Sequence, residues 1–216
     1  MAKLSVKKAL SQASFHAKKG ELMEAERLYQ SVLRDFPENK QAQQGLNALR
    51  HSSREIALQN PPSDMIALLA DLYNRGQFIA AVAYAETLIK LYPEAFAVWN
   101  ILGAANDELG KVSEACEAFR KATILNPRSA DCFNNLGVTL KAQGRLEEAI
   151  TALVKAITLK PDHAEAHNNL GNALFDQNKL EDAMRAYKKT LALVPDHAGA
   201  HNNLGNIERK QGRHVE

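Results

Sequence analysis

Apolar residues recur along this chain at the spacing of one helix face, and the same pattern restarts every 34 residues. In "ADCFNNLGVTLKA", Phe133, Leu136, Gly137 and Leu140 share one face at a 3.6-residue period, as do His167, Leu170, Gly171 and Leu174 one period later. A second apolar segment follows in each unit ("AFRKATILNP", "ALVKAITLKP", "AYKKTLALVP") and is ended by Pro93, Pro127, Pro161 and Pro195. Small residues hold the same register: Ala81, Ala115, Ala149 and Ala183 stand 12 residues before these prolines, and Leu69, Gly103, Gly137 and Gly171 another 12 before that. The pattern predicts two helices per unit, A and B. The turn phrases "ELGKVSEA", "AQGRLEEA" and "DQNKLEDA" supply Gly110, Gly144 and Asn178 to take the left-handed conformation that ends helix A. A glycine inside a helix costs about 1 kcal/mol against alanine. Its return in three successive units predicts that helix B approaches there, with the alanines as the small facing surface.

The register slips once. Ala13, Gly20, Ala25, Tyr29, Val32 and Pro37 keep the expected offsets, but Pro37 and Pro93 are 56 residues apart, which is 34 plus 22. The 22 extra residues, 40–61, begin as a helix with Ala42, Leu46 and Leu49 on one face and end in "HSSREIALQNPPSD". The expected organisation is an N-terminal hairpin with an added, unpartnered capping or bridging helix and a proline-rich break at Asn60-Pro61-Pro62 (1–61). A regular array (62–216) follows, with units starting near 62, 96, 130, 164 and 198. A flexible linker is the competing reading of the extra segment.

The sequence Trp99-x-x-Leu102-Gly103, then Ala115-x-x-x-Phe119, then Pro127, resembles the tetratricopeptide repeat signature. The resemblance implies an all-α fold, a right-handed α-solenoid of helix–turn–helix units with helices A on its inner surface. One departure is clear: the family often has an aromatic at the eleventh position, where this chain has Asn106, Leu140 and Leu174.

Composition narrows the function. A chain of 216 residues with 45% hydrophobic and 24% charged residues is an ordinary globular one, and its net charge of +2 argues for neither nucleic acid nor an anionic membrane. The basic first twenty residues are a local feature. No apolar run spans a bilayer and no secretory leader is evident, so a cytoplasmic protein is expected. Cys116 and Cys132 read as semi-buried thiols in a reducing compartment. No phosphate loop, dinucleotide fingerprint or activated nucleophile occurs, so neither catalysis nor a cofactor is expected. His163 with His167, and His197 with His201, have a spacing that can ligate one metal, but packing accounts for His167 and His201, which replace Trp99 and Phe133. No metal site is assigned.

Asparagine is the informative residue. Asn134 and Asn135; Asn168, Asn169 and Asn172; and Asn202, Asn203 and Asn206 occupy the fifth, sixth and ninth positions of successive helices A, expected to lie opposite the packed face. A carboxamide both donates and accepts, so such a row can hold the backbone of an extended peptide whatever its side chains are. The row is similar to the asparagine-lined groove of the repeat array in O-linked N-acetylglucosamine transferase, over residues 130–206 and best in "AHNNLG". Amides that satisfy one another, or water, are the plainer reading. The expected function is an interaction scaffold for a protein or peptide partner. RNA reading by helical repeats is disfavoured, because Asp107, Glu108, Asp131, Glu165 and Asp176 face only Lys141, Arg209 and Lys210. The same shortage of cations disfavours a clamp for acidic tails. The N-terminal organisation is also similar to bacterial arrays fused to glycosyltransferase or sulfotransferase domains, which would make this a non-catalytic region that positions substrates. "QGRHVE" stops one residue short of the expected alanine, which reads as a chain cut within a repeat, with Leu204 and Ile207 on an open face suited to weak self-association.

Overall fold

The computed structural model describes residues 6–210, and the regular structure among them is twelve α-helices. Expectations placed on Gly212 and the residues after it fall outside the described residues. The chain divides into two compact units, Met1–Pro62 and Ser63–Glu216.

The first unit contains α1 (Val6–Lys18), α2 (Leu22–Asp35) and α3 (Lys40–Gln59). Leu10, Ala13, Ala25, Tyr29 and Val32 make its core, and α3 adds Ala42, Leu46 and Leu49. Asn39 caps α3 by accepting from the Ala42 N–H at 2.9 Å. The added helix has a partner after all, because Gly45 lies flat on Tyr29 of α2: a Cβ there would stand 2.3 Å from the ring. Through "HSSREIALQ" the helix runs unbroken to Gln59, since serine and histidine are only mildly unfavourable in a helix and the prolines come later.

The second unit alternates helices A and B: α4 (Ser63–Asn74), α5 (Phe78–Leu91), α6 (Phe96–Glu108), α7 (Val112–Leu125), α8 (Ala130–Ala142), α9 (Leu146–Leu159), α10 (Ala164–Asp176), α11 (Leu180–Leu193) and α12 (Ala198–Lys210). It is an all-α, right-handed solenoid of helix–turn–helix pairs. Gly144 (φ 75) and Asn178 (φ 60) adopt the left-handed conformation, and the next N–H turns back to the helix: Arg145 to Leu140 O at 3.0 Å, Lys179 to Leu174 O at 2.9 Å. The mid-helix glycines are contact points. A Cβ on Gly103 would sit 2.8 Å from Phe119, on Gly137 2.5 Å from Leu153, and on Gly171 2.5 Å from Tyr187. Ala115, Ala149 and Ala183 are fully buried beside them. Ile207 was expected on an open face, but it is buried with Ala183, Tyr187 and Ala200. Each helix A packs closely against the next helix A, whereas successive helices B keep their backbones apart and meet through side chains, as in the Arg120–Glu148 pair of α7 and α9 at 3.5 Å. The array therefore curves with helices A inside. No helix among the described residues is long and apolar enough to cross a membrane.

Candidate functional site

The inner face is the stacked row α8, α10 and α12, where the asparagines recur. They are less exposed than the sequence suggested. Asn134 and Asn168 are buried, at 9% and 8% exposure, because the adjoining helices A close over the fifth position. Asn135, Asn169, Asn172, Asn203 and Asn206 are half-buried, and only Asn202 of the eight is exposed.

Several of these amides cross-link repeats. Asn169 Nδ2 donates to Asn134 Oδ1 at 3.0 Å, and Asn134 Nδ2 donates to Asn135 Oδ1 at 3.3 Å. One unit on, the pattern shifts. Asn203 Nδ2, which corresponds to Asn169, donates to Asn172 Oδ1 at 2.8 Å, where the Tyr187 hydroxyl also donates at 2.9 Å. The earlier unit has Val138 at that ninth position, so the competing acceptor is absent there. As a result Asn168 Oδ1 is enclosed and accepts no hydrogen bond. A buried acceptor left without a donor costs about 1–3 kcal/mol. Asn206 accepts from the Arg209 guanidinium. Sequence reasoning passed over Asn100, which holds the same fifth position in α6 and accepts from the Cys132 thiol at 3.0 Å. Its only sequence signal was register, since Ile101 and Ala104 beside it are apolar.

The groove cations are already engaged. Lys141 Nζ pairs with Asp176 at 3.0 Å, while Lys210 Nζ donates to Asn178 Oδ1 at 2.8 Å and lies 5.1 Å from the Phe175 ring centre. Asp131 and Glu165 face the imidazoles of His163 and His197, at 3.1 and 3.3 Å. By contrast, Asp107 and Glu108 at the end of α6 pair with no cation among the described residues. Burial, and then the charge of Glu108, push the Asp107 carboxyl above its ordinary value.

The histidines have structural posts. Trp99 Nε1 donates to Pro93 O at 2.8 Å, and His167 and His201 reproduce this with Nε2 at 3.0 Å from Pro161 O and 2.8 Å from Pro195 O. An imidazole N–H thus replaces the indole N–H as the tie to the preceding loop. His197 Nδ1 accepts from the Ala200 N–H at 3.1 Å and so caps α12. Cys116 and Cys132 are unpaired and buried, and burial raises the Cys132 thiol.

Sequence models described as TPR repeat match residues 139–177 and 171–212, and models described as tetratricopeptide repeat match 55–130 and 118–151. None of these is a transferase or other catalytic domain. No curated protein matches the chain significantly in sequence. Among solved structures, MamA is similar over 66% of this chain and 84% of its own, at 25% identity and a TM-score of 0.63. PilF of Pseudomonas aeruginosa is similar over 69% and 68%, at 24% identity and 0.62. YrrB, described as a TPR protein with an unusual peptide-binding site, is similar over 93% and 98%, at 19% identity and 0.58.

Proposed function

The chain belongs to the tetratricopeptide repeat family, and on that premise we propose that it is an interaction scaffold whose inner face holds an extended segment of a partner protein. The observation that carries the reading is the unsatisfied acceptor Asn168 Oδ1 in the middle of the asparagine row. A peptide N–H supplied by a partner, with a small shift of the neighbouring amides, would satisfy it. Asn202, exposed one unit on, offers a second carboxamide in register. Electrostatics favour a neutral or basic segment over RNA or an acidic tail, because Lys141, Arg209 and Lys210 are engaged by protein groups while Asp107 and Glu108 are not.

The test is a displayed-peptide selection against the 216-residue chain, followed by affinity measurement on Asn168→Ala/Asn202→Ala. Each lost backbone bond is worth about 0.5–1.5 kcal/mol, so the double variant should bind the selected peptides several-fold to about a hundredfold more weakly, with only a small fall in the melting midpoint. Unchanged affinity would refute the reading.

A further inference from the structure

Two hollows of similar size open on the outer side of the second unit at equivalent places. One, of about 490 Å³, lies over Leu136 and Leu140 of α8, between α7 and α9. The other, of about 440 Å³, lies over Leu170 and Leu174 of α10, between α9 and α11. Equivalence extends residue by residue: Leu140 matches Leu174, Ala152 matches Ala186, and Lys155 matches Lys189, each pair 34 apart. Their origin is legible. Leu140 and Leu174 stand at the eleventh position, where the repeat signature often has an aromatic, and opposite them helix B offers only Ala152 and Ala186. A leucine facing an alanine leaves the floor of each hollow deeper than a ring there would.

The rims carry charge in a fixed order. Glu148 is held by Arg145 at 2.7 Å and approached by Arg120 at 3.5 Å; Glu147 accepts from Gln177 at 2.9 Å; Asp182 is held by Arg185. Lys155 and Lys189 have no such partner among the described residues, and both are exposed at the edge of their hollow. We infer that the outer face is a second docking surface, distinct from the asparagine groove, which takes an acidic amphipathic helix of a partner. Large apolar side chains of that helix enter the two hollows, and its carboxylates meet Lys155 and Lys189. Because the hollows lie on either side of α9, such a helix crosses α9 and repeats its i, i+3 and i+4 anchors along its length, one set for each hollow, against apolar floors that each carry charge along one edge. The carboxylate requirement follows from the free ammonium at the same rim position of both hollows.

The probe is a fluorescein-labelled helical peptide of leucine and glutamate with leucines at i, i+3 and i+4, compared with its leucine–lysine counterpart, by anisotropy on the whole chain. The glutamate peptide binds, the lysine peptide binds at least about tenfold more weakly, and Lys155→Glu/Lys189→Glu reverses the order. Both lysines are exposed, so this variant keeps its fold. Leu140→Tyr/Leu174→Tyr, which brings a ring to the floor of each hollow, weakens binding of the glutamate peptide at least about tenfold while the circular-dichroism spectrum stays that of the parent. Equal binding of both peptides, no binding of either, or an affinity unmoved by the lysine reversal overturns the inference. Because Asn168→Ala/Asn202→Ala leaves these sites untouched, that variant binds the glutamate peptide as well as the parent does. Failure here is therefore separable from failure of the asparagine groove.

Discussion

Replacing Gly171 by alanine adds one methyl group, and so does replacing Gly205, in the same local sequence "HNNLGN" one repeat later. Helix propensity alone predicts that both gain about 1 kcal/mol. Packing predicts opposite signs. At Gly171 the new Cβ would stand 2.5 Å from Tyr187 Cε1 and 2.9 Å from Cζ, and Tyr187 is 1% exposed with its hydroxyl tied to Asn172. The ring cannot swing away freely, so overpacking costs about 1–3 kcal/mol, and displacing the hydroxyl bond adds about 0.5–1.5 kcal/mol. Against the propensity gain, the net loss is about 0.5–3.5 kcal/mol. At Gly205 nothing among the described residues lies within 4 Å of the added carbon, so the gain of up to about 1 kcal/mol stands. Urea unfolding of the whole chain followed by far-ultraviolet circular dichroism measures both, with the midpoint falling for Gly171→Ala and rising for Gly205→Ala. Two shifts of the same sign would refute the claim that the glycine is retained for helix B.

Asn169→Ala leaves the buried Asn134 Oδ1 without its donor and should destabilise by about 1–3 kcal/mol, whereas Asn168→Ala, which removes an acceptor that has no donor, should cost less than half as much in the same unfolding assay. Burial, with the Asp176 charge behind it, pushes the Tyr187 phenol up to about 12, so an ultraviolet titration should show one tyrosine resisting ionisation near its ordinary value of 10.0. Because the folded state keeps that proton longer than the unfolded chain, stability from this group is complete below about pH 10 and is lost as pH rises toward 12. Ellman's reagent should find neither Cys116 nor Cys132 in the native chain and both after denaturation, since they are 3% and 0% exposed; a native thiol reacting at the denatured rate would contradict their burial.

The helices and their pairing were legible because Gly137, Gly171 and the facing alanines are local signals repeated in register. The proline at each unit's end and the left-handed residue at each turn then confined the boundaries to a few positions. The site was only half legible. Periodicity assigns Asn134 and Asn168 to the side of one helix away from its partner B, but the next helix A packs on that side and buries them. That neighbour arises from stacking, which the pattern within one helix does not encode. The same gap explains α3, whose docking through Gly45 onto Tyr29 joins residues in helices that were read separately. His167 was legible as a packed residue but not as a donor to Pro161 O, because only the fold brings the loop carbonyl over its ring. Leu140 and Leu174 were visible as departures from the repeat signature, while the hollows they leave depend on Ala152 and Ala186 standing opposite.

The central claim is that asparagine side chains on α8, α10 and α12 read the backbone of an extended partner segment. Ester substitution tests it directly: in a peptide selected on this chain, each backbone N–H is replaced in turn by oxygen, leaving every side chain in place, and the affinity of each analogue is measured. An extended strand points alternate N–H groups to one side. The account predicts losses of about twofold to tenfold at alternate positions, as expected for bonds worth about 0.5–1.5 kcal/mol, and those losses disappear on Asn168→Ala/Asn202→Ala. A peptide whose ester analogues all bind as tightly as the parent would contradict it.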